Sequence, residues 1–381
     1  MVGLSWPLWL DGTDFPRVPF LRGWPRLAVW CSGLALASIL ATLALGVVGR
    51  GWRLALSFGL IAFGIAVLGD QSRLQPWVYQ FGLVGLAMVA TPGPGALRLA
   101  RVYAISLYAY SGLSKLDMSF VHELGPTFLA AGLGPIGLSA AGWPEGFQVA
   151  AILSMPAWEV AVAAGLCSAR TRRMAMVGAV AQHSALLLIL GPWGLGHSPN
   201  VLVWNGAMIA EDWLLFWTTP APVGSWRGRG WSEGLAAVVF GLALAWPAAE
   251  RWGYCDSWPG HALYASHAER VDVFIGEEDA EFYPDPVRLN LGPADFAGWR
   301  RVDLTGWSRD VRGVPVYPQA RVGLGIALGL GGRDGGSRPV RAVLWGRAGA
   351  FDGRRDRVEC VGRPAMLRQS GRYRVNARPA N

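Results

Sequence analysis

Ionisable side chains within apolar stretches are expensive in a bilayer, so each one is a candidate for chemistry. Three stand out here: Lys115, Glu159 and His183. Lys115 closes an aromatic run, Val102-Tyr-Ala-Ile-Ser-Leu-Tyr-Ala-Tyr-Ser-Gly-Leu-Ser-Lys115. Helical spacing puts Tyr108, Ser111, Gly112 and Lys115 on one face. Glu159 follows Pro156 by three residues in an otherwise apolar segment, and His183 directly follows Gln182. A lysine taken out of water gives up its proton more readily, and the neutral amine is a base. A nearby carboxylate and imidazole tune such a base or relay its protons. We therefore read Lys115, Glu159 and His183 as candidate catalytic groups in one shared interior site. Plain structural readings stand beside this one. Lys115 can snorkel to headgroups or pair with Asp117, Glu159 can fix helix packing, and His183 can be a hydrogen-bonded core residue.

Two further polar stretches sit at helix ends. One is Asp70-Gln-Ser-Arg73-Leu-Gln75-Pro-Trp77. The other is Gly191-Pro-Trp-Gly-Leu-Gly-His197-Ser-Pro-Asn200, followed by Trp204-Asn205. Polar loops over an aromatic, apolar chamber make a mouth for an amphipathic ligand such as a quinol. On that reading Tyr108, Ser111, Asp70, Arg73 and Trp77 are candidate ligand-binding residues. Interfacial anchoring by Trp and Arg is the alternative.

The elements that must carry these residues are helical. Of the 381 residues 52% are hydrophobic and only 16% charged, with a mean hydropathy of +0.30. Soluble domains carry about 25% charged residues. Apolar runs of spanning length occur at 27–48, 54–69, 77–97, 99–116, 147–168, 174–191, 200–217 and 232–249, so about eight transmembrane helices are expected. Residues 1–25 have no basic n-region followed by a clean apolar core. They read as an interfacial segment rather than a signal peptide. Residues 250–381 hold 16 of the 26 acids and 20 of the 34 bases, a shift that marks a soluble domain. The expected fold is thus an α-helical polytopic membrane domain (26–249) followed by a small β-rich domain (250–381). Arginines spread along the whole chain argue against a nucleic-acid patch.

Loops one, three, five and seven carry Arg50, Arg53, Arg98, Arg101, Arg170, Arg172, Arg173, Arg227 and Arg229. The positive-inside rule makes these loops cytoplasmic and the C-terminal domain extracytoplasmic. Arg17, Arg22 and Arg26 argue the other way. In the C-terminal domain, 271–275, 322–330 and 340–345 alternate or run apolar as strands do. Cys255 and Cys360 lie near the two ends of that domain. A disulfide between them would suit an oxidising compartment, and spacing alone does not establish it. His261 and His267 share an aromatic loop without the carboxylate or thiolate spacing of a metal site, so no metal is expected.

The run Tyr108-Ala-Tyr110-Ser-Gly112-Leu-Ser-Lys115-Leu116-Asp117, followed by Phe120, resembles the vitamin K-dependent γ-carboxylase superfamily. That group includes the bacterial HTTM (horizontally transferred transmembrane domain) proteins. Gln182-His183 before Leu190-Gly191 is similar to a later helix of the same group. The resemblance covers about residues 50–220. It implies Lys115 as the base acting on reduced vitamin K or menaquinone, with CO2 and O2 as co-substrates. It also implies a protein substrate on the extracytoplasmic side and a place in the bacterial inner membrane. Ser114 stands where the family often has a second lysine. Two other readings remain open: a non-catalytic quinone- or lipid-binding receptor, and a DoxX/MauE-like redox-associated membrane protein.

Overall fold

The computed structural model describes residues 1–9, 13–24, 28–218, 230–332 and 338–380. Arg26, Arg227 and Arg229 lie outside them, as does the side chain of Cys31. The longer helices, in chain order, are α1 (Ala28–Val48), α2 (Trp52–Gly69), α3 (Pro76–Ala90), α4 (Gly93–Leu113), α5 (Leu124–Leu133), α6 (Glu145–Cys167), α7 (Arg172–Leu190), α8 (Pro199–Asp212), α9 (Trp231–Ala245), α10 (Leu304–Arg312), α11 (Ala320–Leu330) and α12 (Gly362–Ser370). The expected eight spans need correction. Among the described residues four helices are long and apolar enough to cross a membrane: Trp52–Gly69, Glu145–Cys167, Arg172–Leu190 and Trp231–Trp252. Two of the others fall short for visible reasons. α3 ends at Ala90, before Pro92, which cannot continue a helix. α4 has the length, but Arg98, Arg101 and its tyrosines dilute its apolar character.

The chain packs as two compact units, and these cut across the division that charge suggests. Composition reports exposure to water, whereas packing reports which segments touch. One unit comprises 1–75, 268–348 and 354–381; the other comprises 76–267 and 349–353.

In the first unit, α1 and α2 form a hairpin. Its turn places Gly49 and Gly51 at φ 73° and 71°, a region open to glycine at little cost. An antiparallel sheet follows, in the order β2 (Leu291–Ala294), β3 (Trp299–Val302), β1 (Arg270–Gly276), β4 (Val340–Trp345), β5 (Arg357–Val361). Val273 faces Val302 on one side and Ala342 on the other, and Ile275 faces Val340. These side chains are buried with Leu324, Ile326 and Leu328 of α11. Residues 320–330 therefore form a helix, not the strand that alternation suggests. Every residue of α11 from Ala320 to Leu328 is buried, so the period of two does not mark a wet face. The glycines that create the alternation admit close neighbours instead. A Cβ at Gly325 would lie 2.7 Å from Val18, and one at Gly329 would lie 2.6 Å from Pro16. The N-terminal segment thus joins this core, with Leu8, Trp9, Phe15 and Val18 all buried.

The second unit is the helical bundle α3–α9. Its core collects Leu99, Tyr103, Leu107 and Tyr108 from α4 with Val162 and Leu166 of α6, Met176 of α7 and Phe240 of α9. Cys255 and Cys360 are buried thiols and form no disulfide. They also belong to different units.

Candidate functional site

Lys115 meets Glu159 because two helices approach unusually closely. Gly112 on α4 faces Pro156 on α6: a Cβ at Gly112 would lie 2.8 Å from the Pro156 carbonyl oxygen and 3.1 Å from the Glu159 Cβ. Only glycine allows this backbone-to-backbone contact, the small-residue device of membrane helix packing. One turn on, Lys115 Nζ reaches Glu159 Oε2 at 2.8 Å, both side chains being buried. It also donates to the carbonyl and hydroxyl oxygens of Ser111 at 2.8 and 2.7 Å. The three contacts use the three N–H bonds of an ammonium. Gly112→Ala is expected to force α4 and α6 apart and to cost about 1–3 kcal/mol, as overpacking does. Thermal unfolding in detergent, against Gly146→Ala at an open position, measures it.

These residues line a cavity of about 410 Å³. That volume lies within the range of small-molecule pockets. Its walls are mostly apolar: Leu107, Phe120, Phe128, Met155, Trp158, Leu186 and Ile189, with Leu263 and Tyr264 from the loop before residue 268. Tyr264 holds φ at 59°, a strained setting for an aromatic residue, and stacks edge-on to Phe128 and His197.

Tyr108, Gln182, His183 and Asn205 also line the cavity. Asn205 Nδ2 donates to the Val201 carbonyl, so its Oδ1 is the acceptor 2.9 Å from His183 Nδ1. His183 Nδ1 therefore carries a proton, an assignment made from the network. His183 Nε2 lies 2.7 Å from the Tyr108 hydroxyl, which also contacts Asp212 Oδ2. One hydroxyl proton serves two neighbours, so two arrangements satisfy the chain. In one, imidazolium donates to Tyr108, and Tyr108 donates to the Asp212 carboxylate. In the other, protonated Asp212 donates to Tyr108, and Tyr108 donates to neutral His183. Concerted shifts along two hydrogen bonds interconvert them at constant net charge. The arrangement can carry a proton from the cavity wall at His183 to Asp212, which does not line the cavity.

The cavity thus gathers Lys115, Glu159, His183, Tyr108 and Ser111. It does not gather Asp70, Arg73 or Trp77. Asp70 and Arg73 belong to the first unit and are fully buried there. Asp70 ion-pairs with Arg312 and caps the turn at Ser72. Arg73 donates to the carbonyls of Leu8, Trp9 and Ala66. Their polar groups are committed to the fold. Trp77 is buried in α3. Asp212 is the residue that sequence reasoning passed over. A signal was present, because Glu211 and Asp212 are acids inside the expected span 200–217. Glu211 accepts from Gln80 at 2.5 Å, and Gln80 in turn accepts from Trp204 at 2.7 Å.

A second polar cluster forms just past α4. Asp117 accepts from Ser119, from the Phe120 amide, from Arg251 at 2.8 Å and from His267 Nδ1 at 3.0 Å. His267 Nε2 faces Glu250 at 2.8 Å. An imidazole between two carboxylates donates from both nitrogens only when it is charged. Burial works against that charge, but Asp117 and Glu250 outweigh it and raise the His267 pKa above its ordinary 6.5, although Arg251 opposes them. Burial likewise opposes the Asp117 carboxylate, yet the hydrogen bonds from His267, Ser119 and Phe120 bring its pKa down to about 2. The sign follows from linkage. The His267 contribution is complete below 6.5 and is lost as pH rises through the raised value. The Asp117 contribution is complete above 3.8 and is lost as pH falls toward 2. We expect this tie to be strongest between those limits, with melting temperature falling on the alkaline side. His267→Gln should flatten that alkaline arm.

His261, by contrast, packs among the rings of Tyr79, Tyr103 and Tyr110. Among the described residues no group of three His, Cys, Asp or Glu has the geometry to hold a metal ion. Comparison of the chain with protein-family models, with curated proteins and with solved structures finds no match.

Proposed function

We propose that this chain is a membrane protein of the γ-carboxylase-like, HTTM-related kind. Its cavity takes an amphipathic quinol-type ligand, of which reduced vitamin K and menaquinone are examples. The observation that carries this reading is a buried Lys115–Glu159 pair opening onto an apolar cavity that also holds the Tyr108–His183 pair. The residues fit such a ligand. The walls are aromatic and aliphatic, and Gln182 Oε1 is a buried acceptor with no partner among the described residues, suited to a ligand hydroxyl. When bound, a quinol supplies reducing equivalents and an acidic hydroxyl. Lys115 acts as base by passing one ammonium proton to Glu159 across their 2.8 Å contact and taking one from that hydroxyl. The His183–Tyr108–Asp212 chain carries protons between the cavity and Asp212. CO2 and O2 are the co-substrates in the carboxylase form of this chemistry, with an acceptor protein on the extracytoplasmic side of a bacterial inner membrane.

The test is oxygen-dependent consumption of reduced menaquinone or vitamin K by purified protein, with Lys115→Ala as control. Turnover that Lys115→Ala abolishes supports the enzyme; absence of turnover with every quinol tried rejects it. One observation favours a second reading, a quinone-binding receptor without turnover: all three Lys115 protons already have protein acceptors. A quinone that co-purifies with the wild type and persists in Lys115→Arg, without turnover in either, selects that reading.

A further inference from the structure

In the first unit, three arginines from three separate segments converge on a pocket of about 520 Å³. Arg22 comes from the N-terminal segment, Arg363 from the first turn of α12, and Arg378 from the C-terminal tail. Among the described residues no aspartate or glutamate lines this pocket, and none of the three arginines is ion-paired with a described carboxylate. Their protein contacts are few: Arg363 donates to the Leu328 carbonyl and Arg378 to Ser370 Oγ, both at 3.1 Å. Each guanidinium has five N–H donors, so most of them remain available. Trp24 adds a buried indole N–H with no acceptor among the described residues. A pocket with several donors and no carboxylate among its described residues suits an anion, and planar guanidinium forks match phosphate oxygens.

The pocket wall also adjoins the end of a candidate membrane span. The Phe20 amide donates to the Leu68 carbonyl of α2 at 2.9 Å, and the Asn376 side chain donates to the Pro19 carbonyl at 2.9 Å. These bonds tie the segment that carries Arg22 to the end of α2, a candidate span, and the end of a span is where lipid phosphates lie.

We propose that Arg22, Arg363, Arg378 and Trp24 form a site for a phosphate-bearing anion, supplied by the headgroup of an anionic membrane phospholipid. A basic residue near an anionic surface is worth about 1 kcal/mol, or about fivefold in affinity. Native mass spectrometry of the full chain in detergent, titrated with phosphatidylglycerol, phosphatidylcholine or inorganic phosphate, tests the site. The expected result is preferential retention of phosphatidylglycerol, reduced about 25-fold in Arg22→Gln/Arg363→Gln. Both positions are exposed, so the variant should keep the wild-type melting temperature. Where the double variant unfolds, Arg22→Gln alone should show about a fivefold loss. Unchanged phosphatidylglycerol binding in folded variants overturns the site, as does equal retention of phosphatidylcholine. Inorganic phosphate that binds as tightly as the lipid, and is the only ligand weakened in the variants, overturns the lipid assignment.

Discussion

Replacing Lys115 by alanine is expected to abolish quinol-dependent turnover and to destabilise the bundle by about 3–5 kcal/mol, the usual cost of stranding one member of a buried ion pair. The stranded group is the Glu159 carboxylate, whose partner at 2.8 Å is Lys115. The two effects separate with different substitutions. Lys115→Arg keeps a positive charge beside Glu159 but cannot act as a base, because guanidinium stays protonated. It should fold nearly as well as the wild type and remain inactive. Lys115→Met/Glu159→Gln removes both charges and should recover most of the lost stability, again without activity. Denaturant unfolding in detergent reads the first quantity and oxygen-dependent quinol consumption the second. Turnover that survives in Lys115→Arg would remove this residue from the role of base, whatever its effect on stability.

Arg312→Met should be about as damaging to the first unit. Arg312 and Asp70 are 1% and 0% exposed at their side chains and form an ion pair. The guanidinium also stacks over the Phe15 ring, 5.0 Å from its centroid. Asp70 begins the turn that carries Gln71, and Gln71 binds the Pro19 and Asn376 carbonyls and Arg321. Without Arg312 the Asp70 carboxylate is buried and uncompensated, again a cost of about 3–5 kcal/mol. Asp70→Asn/Arg312→Met should lose much less. A double-mutant cycle isolates the coupling. If the single and double variants are equally destabilised, the pair contributes through packing alone.

Much of this molecule is legible in its sequence. Apolar runs of spanning length locate most of the helices, because an apolar surface that long needs lipid or protein to cover it. The strands at 271–275 and 340–345 are legible because one of their faces is buried and the other is wetter. Lys115, Glu159 and His183 stand out because a charge inside an apolar stretch needs a reason. Legibility fails where local pattern and long-range packing diverge. α11 alternates glycine with branched residues and still forms a helix, since its neighbours cover every side. Asp70 and Arg73 look like a polar mouth at a helix junction, yet besides local contacts to Ser72 and Ala66 they are held by partners far away in sequence, at residues 312 and 8–9. Asp212 joins Tyr108 across 104 positions, a pairing that no spacing rule reaches.

By itself, the sequence determined that the chain carries membrane-grade helices, that a more highly charged, sheet-containing region follows them, and which few ionisable groups lie in apolar surroundings. Only the tertiary structure decided which of those groups meet. Lys115 faces Glu159 because Gly112 lets two helix backbones touch at Pro156. Asp70 pairs with Arg312 because residues 1–75 fold with residues 268–348 in one compact unit. The physical reason is one of range. Periodicity and hydropathy act over a few turns of chain, whereas a site is assembled by contacts between segments, whose partners are chosen by shape and charge rather than by distance along the sequence.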